Sequence, residues 1–176
     1  MQNLKTLINL RQNQTLKMIY QASRDGFNSS VFHSKCNGVL GTLTVFKTSS
    51  NSTNIFGGYT NADWSGYYSY QYDSNAFLFS LVNSYNYPVK MLVFNPQFIH
   101  AIYTSPYYGP TFGGGQDLYI SSDGSYGYSN LGHSYQLPSF LPTSFSQSFL
   151  AGSYSFKPIE IEVYAVLLDR NIIFFL

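Results

Sequence analysis

The stretch Tyr107-Tyr108-Gly109-Pro110-Thr111-Phe112-Gly113-Gly114-Gly115-Gln116-Asp117-Leu118-Tyr119-Ile120 limits most sharply what this chain can become. Three glycines in a row separate an aromatic turn from a short strand-like run, Asp117 to Ile120. Glycine accepts φ > 0 and lets another backbone or a ligand come close. The run is therefore either a sharp corner in a sheet or a backbone surface against which something presses. Phe56-Gly57-Gly58-Tyr59 and Leu150-Ala151-Gly152-Ser153 interrupt strand-like runs in the same way.

Such corners need a core to turn around, and the rings supply it. A chain of 176 residues fits one domain that buries roughly 70% of its unfolded surface. It holds 17 Tyr, 15 Phe and one Trp, while charged residues are only 10% of the total, against a usual figure of about 25%. The net charge is +1 and no basic block exceeds a single residue, which excludes a nucleic-acid surface built on clustered Lys and Arg. Cys36 is the single cysteine, so no disulfide forms within the chain. Met1 to Leu10 lacks the apolar core of a secretory signal, and no run approaches the ~20 apolar residues of a membrane span. An intracellular, cytoplasmic protein is expected, with the Asn-X-Ser/Thr triplets at Asn13, Asn28 and Asn51 being chance matches.

Along the chain, Leu4, Leu7 and Ile8, then Leu16, Ile19 and Tyr20, recur at helical spacing and predict two short helices broken at Gln12-Asn13-Gln14. Residues 1–14 read as an N-terminal helical segment. Asn28 reads as the N-cap of a further helix that stops at Gly38. From Thr42 the period becomes two. Thr42 to Lys47 and Asn54 to Thr60 predict a hairpin with a bulge at the glycine pair. Asp63 to Asp73 reads as a long loop pinned by Trp64, and Ala76 to Val82 as a central strand. Val89–Phe94 and Phe98–Tyr103 read as a second hairpin turning at Asn95-Pro96. Asp117 to Ser121 pairs with a strand beyond Asp123-Gly124. Pro158 to Val166 is the last strand, with Ile159, Ile161, Val163 and Ala165 on one side and Glu160, Glu162 and Tyr164 on the other. The expectation is a mostly β protein, a two-layer antiparallel β-sandwich with short N-terminal helices.

These residues also carry a resemblance. Ser23-Arg24-Asp25-Gly26-Phe27, Phe56-Gly57-Gly58-Tyr59, Trp64, Ala76-Phe77-Leu78-Phe79-Ser80-Leu81 and Tyr108-Gly109-Pro110-Thr111-Phe112-Gly113-Gly114-Gly115 follow in order. After them come Asp117-Leu118, Tyr128 to Tyr135, Phe149-Leu150-Ala151-Gly152 and Ile159 to Tyr164. The ordered set resembles the TLDc domain family over residues 15–166, in a form similar to versions from single-celled eukaryotes. The resemblance implies a β-sandwich flanked by short helices. It also implies kinship with the oxidation-resistance proteins, several of which bind and regulate the vacuolar proton pump (V-ATPase). Arg24, Asp25, Gly57, Gly58, Asp117, Gly132, Gly152, Glu160 and Glu162 are the framework residues it implies. The LysM, TBC and coiled-coil modules often attached to the family do not occur in these 176 residues.

Candidate sites each have two readings. Glu160 and Glu162, roughly 6.6 Å apart at about 3.3 Å rise per residue, match the ~6.5–9.5 Å spacing of inverting glycosidases, which gives a hydrolase reading. Neighbours on one strand point the same way, however, and anchoring backbone or a basic group such as Arg24 is the plainer role. His33, His100 and His133 lack metal-ligand spacing, so no metal or other cofactor is expected. A triad of Ser134, a histidine and Asp117 has no nucleophile elbow to support it. Cys36 is a redox-sensitive thiol if exposed and inert if it faces the core. Gly113, Gly114 and Gly115 are either a structural corner or a binding surface. Trp64, Tyr67, Tyr68 and Tyr70 form an aromatic loop that either stacks on a protein partner or a sugar, or folds onto its own core through Trp64. Residues 167–176 form an apolar tail that extends the sheet or docks on a partner. The chain is thus expected to be a non-enzymatic interaction module with V-ATPase subunits as partners by analogy. A carbohydrate-binding β-sandwich is the alternative.

Overall fold

The computed structural model describes residues 2–49 and 53–168. Its frame is a six-stranded antiparallel sheet in the order β1-β11-β2-β3-β5-β6, formed by Gln14–Gln21 (β1), Thr42–Ser49 (β2), Thr53–Thr60 (β3), Phe77–Val82 (β5), Val89–Leu92 (β6) and Pro158–Leu168 (β11). The second layer holds Ser69–Gln71 (β4) paired with Ile102–Thr104 (β7), and Leu118–Ile120 (β8), Gly127–Ser129 (β9) and Ser155–Phe156 (β10) in a three-stranded sheet. Phe112 bridges both Ile102 and Leu118, so the two short sheets continue one another. Three short helices complete the structure: Gln2–Leu7 (α1), Ala22–Asp25 (α2) and Ser29–Cys36 (α3). None is long and apolar enough to cross a membrane.

Alternation in the strands sends side chains to two cores. The inner face of the large sheet brings Tyr20, Phe46, Phe56, Leu78 and Val163 against Ile102, Phe112, Leu118 and Phe156 of the second layer. The outer face carries Leu43, Phe77, Phe79 and Tyr164, which Leu4 and Ile8 cover from the N-terminal segment. The hairpin of β2 and β3 and the pairing of β8 with β9 are as the sequence pattern predicts. The helix after Asn28 also forms, and Gly38 follows it at φ 77°.

Four expectations are corrected. Residues 14–21 are a strand and not a second helix. A bulge between Met18 and Tyr20 sends Leu16 and Met18 to the outer core and Tyr20 to the inner one. Burial on both faces thus mimics helical spacing. The hairpin expected across Asn95-Pro96 does not exist. β6 pairs with β5, the chain crosses to the second layer through a 3₁₀ turn at Gln97–His100, and β7 pairs with β4. The register of β2 on β3 runs unbroken through Gly57 and Gly58, and the irregularity lies between Ile55 and Phe56 on the β5 side. Those glycines serve close approach. A Cβ on Gly57 would overlap the Thr44 carbonyl oxygen, and one on Gly58 would stand 2.7 Å from the Phe112 ring. Finally, a bulge between Pro158 and Glu160 turns Ile159 outward, 41% exposed, while Ile161 and Val163 stay inside. Leu167 and Leu168 continue β11 against Thr15 and Gln14. The rest of the apolar tail lies outside the described residues.

Candidate functional site

The triple glycine is a corner pressed from several sides. Phe112 and Leu118 exchange backbone hydrogen bonds of 2.8 and 3.2 Å, closing a tight loop in which the Gln116 amide donates to the Gly113 carbonyl. Gly113 stands at φ 89°, and a Cβ there would overlap the Asp117 carboxylate. A Cβ on Gly114 would reach within 3.0 Å of His100, and one on Gly115 would overlap the His133 ring.

Asp117 is the keystone of this corner. Its side chain is fully buried and accepts the backbone N–H groups of Gly132, His133, Ser134 and Tyr135 at 3.0 to 3.4 Å. Burial pushes its carboxyl up to about 6 against the pull of those four amides. The Ser134 hydroxyl accepts the Gly114 amide, so Ser134 and Asp117 both bind backbone and assemble no nucleophilic triad. Gly132, at φ 105°, offers its amide to the same carboxylate. Gly152, at φ 87°, closes a turn onto the Ser148 carbonyl.

The aromatic loop divides. Trp64 is buried, wedged 5.3 Å from the Phe32 ring and 5.5 Å from that of Phe112, and its Nε1 donates to Thr42 Oγ1. It therefore belongs to the core and not to a docking surface, and the sugar reading loses its largest ring. Tyr67 and Tyr68 lie outside, 71% and 48% exposed, with ring centroids 4.6 Å apart. Tyr70, two residues on, donates its hydroxyl to the Gly114 carbonyl and ties the loop to the glycine corner. The structure thus brings Tyr67, Tyr68 and the glycine run to one side of the second layer.

The acidic candidates lie elsewhere. Glu160 accepts the Ser23 amide and hydroxyl and the Gln21 side-chain amide, fastening β11 to the start of α2. Burial works to raise its pKa, but the Ser23 and Gln21 donors prevail and lower it. Arg24, the suggested partner, instead clamps Asp25 through two nitrogens at 2.9 and 2.7 Å. That bond and the Gln21 amide hold Asp25 well below the usual carboxylate range. Glu162 accepts the Tyr164 hydroxyl at 2.7 Å. Both glutamates border an outer groove of about 240 Å³ walled mainly by Leu4, Leu16, Val45, Ile55 and Leu81. Each carboxylate accepts at least one hydrogen bond from the protein.

His33 binds the Ser105 and Tyr108 carbonyls through one ring nitrogen and Asn37 through the other, tying α3 to the 105–108 loop. His100 meets Gln97 and His133 meets Asn130. Among the described residues no three His, Cys, Asp or Glu side chains group as metal ligands. Cys36 is fully buried and its thiol is pushed up to about 12, chiefly by burial, which makes it inert.

Beyond Tyr67, Tyr68 and Tyr70, the structure adds a wider set of tyrosines, from Tyr103 to Tyr154, that the sequence motifs do not single out as a surface. The available signal was electrostatic: Lys90 is the only Lys or Arg between Lys47 and Lys157.

A search of curated proteins gives no match. The model of the family described as TLDc domain matches residues 1–167, nearly the whole chain and more than the 15–166 of the motif-based resemblance. Glycine corner, sandwich and flanking helices agree with that match: the chain belongs to the TLDc domain family.

Proposed function

We propose that the chain is a non-enzymatic, intracellular interaction module, linked through its family to oxidative-stress protection and to V-ATPase binding or regulation. The observation that carries this reading is the exposed pair Tyr67 and Tyr68, held to a rigid glycine corner by Tyr70. Large aromatic side chains on a fixed scaffold are the usual anchors of protein interfaces. The carboxylates support the same reading, because Glu160 and Glu162 each accept hydrogen bonds from neighbouring protein groups. The test is affinity capture from the source cell with the full chain as bait. Stoichiometric recovery of V-ATPase subunits supports the family role. Recovery of a different stoichiometric partner keeps the module and removes the pump. Recovery of none overturns the reading.

A further inference from the structure

The outer face of the second layer carries a continuous band of phenols. Tyr70 faces Tyr103 across β4 and β7, and Tyr119 faces Tyr128 across β8 and β9. Ring centroids run Tyr70 to Tyr103 at 4.9 Å, to Tyr108 at 6.0 Å, to Tyr119 at 4.9 Å, to Tyr128 at 4.6 Å and to Tyr154 at 5.2 Å. Tyr67, Tyr68 and Tyr107 extend the band sideways, with Tyr68 4.6 Å from Tyr67 and 6.1 Å from Tyr107. Rings this close hold one another in place, so little rotamer entropy remains to be lost on binding.

Cations are scarce along the stretch of chain that builds the band. Lys90, the one basic residue between Lys47 and Lys157, stands over the Phe77 ring, which belongs to the outer core of the large sheet. Exposed Asp123 lies in the β8–β9 turn close to Tyr126, and exposed Lys157 follows β10 at the same edge. Burial and neighbouring phenols raise the pKa of Tyr68, Tyr103 and Tyr128, so these hydroxyls stay protonated at neutral pH.

We infer that this tyrosine face docks an arginine-bearing segment of a partner protein. The inference rests on the reading of the chain as an interaction module and names the surface and the chemistry. A guanidinium is weakly hydrated, stacks on one ring face and donates to nearby oxygens. Tyr67, Tyr107 and Tyr154 each offer a ring and a hydroxyl at 71, 58 and 46% exposure. A neutral glycan fits less well, since it needs several ring faces laid open in one plane. Here Tyr119, Tyr128 and Tyr154 are stacked with 29° and 19° between planes, so their faces are turned toward each other.

The experiment is fluorescence anisotropy on the full chain with labelled ten-residue poly-arginine, poly-lysine and poly-glutamate peptides and with labelled maltoheptaose. The arginine peptide is expected to bind at least about tenfold tighter than the lysine peptide, and the glutamate peptide and the sugar not at all. A triple variant, Tyr67→Ala with Tyr107→Ala and Tyr154→Ala, is expected to weaken arginine binding about tenfold while the emission of buried Trp64 stays unchanged. Equal binding of arginine and lysine, undiminished binding by the variant, or binding of the sugar in place of the peptide overturns the inference. Capture of a stoichiometric cellular partner by the variant as well as by the parent also overturns it, while leaving the interaction module intact.

Discussion

The two faces of the sandwich are built from opposite materials. On the large sheet's outer side, Lys47 stands among aliphatic residues, Lys90 stands over the Phe77 ring, and Glu160 and Glu162 both accept protein donors. The second layer is built mainly of phenols and glycines around the sealed carboxylate of Asp117. The contrast teaches where polar groups do structural work and where they are left open. The glutamates of the large sheet fasten neighbouring strands and turns, whereas the phenols of the second layer pack on one another and leave Tyr67, Tyr107 and Tyr154 exposed.

Substitutions sharpen that contrast, beginning with the most disruptive. Gly57→Ala drives a methyl into the Thr44 carbonyl and the Phe79 ring at the centre of the large sheet, and is expected to cost more than about 3 kcal/mol. Urea denaturation reads this, and a variant as stable as the parent breaks the account of close strand approach. Asp117→Ala strands four backbone N–H groups, those of Ser134 and Tyr135 buried, and about 3 kcal/mol is expected, with the loss of hydrogen-exchange protection concentrated at residues 132–135.

Acidity tests the same residue without mutation. Asp117 is raised from 3.8 to about 6 in the fold, so its contribution is complete below pH 3.8 and is lost as pH rises through 6. Asp123 is lowered to about 2, so its contribution holds above 3.8 and fades only as pH falls toward 2. Between pH 4 and 6 the Asp117 part of stability therefore declines with rising pH. Denaturant midpoints across that range are expected to show the decline in the parent and to lose it in the Asp117→Ala variant.

Smaller effects follow on the other face. Glu160→Gln keeps one acceptor for Ser23 and loses the charge, and about 1 kcal/mol is expected because the group is part-exposed. Tyr67→Ala is expected to change stability by less than about 0.5 kcal/mol. Its consequence is confined to partner capture, and a larger loss of stability would place Tyr67 in the framework.

How much of this was legible depended on where a segment's partners lie. β2 with β3 and β8 with β9 sit beside their partners in sequence, so the turn between them reveals the pairing. β1 buries Leu16 on one side and Tyr20 on the other around a bulge, which a periodicity argument reads as a helix. The 89–103 stretch resembles a hairpin in sequence, yet its two strands belong to different sheets, a fact no local turn signal carries. The corner at Gly113 was visible as a corner, while the role of Asp117 was not, since its four donors come from residues 132–135. Trp64 shows the limit of composition: a lone large ring does not reveal which way it faces.

The last strand lies between the first two of the large sheet, in the order β1-β11-β2. On the ribosome, β1 and β2 emerge long before the segment that joins them, and each waits with an unpaired edge. Such long-range closure is slow, and an open slot of strand width accepts any extended chain that offers the right alternation. A copy interrupted before residue 158 would present that slot permanently, ready to borrow a strand from its neighbour.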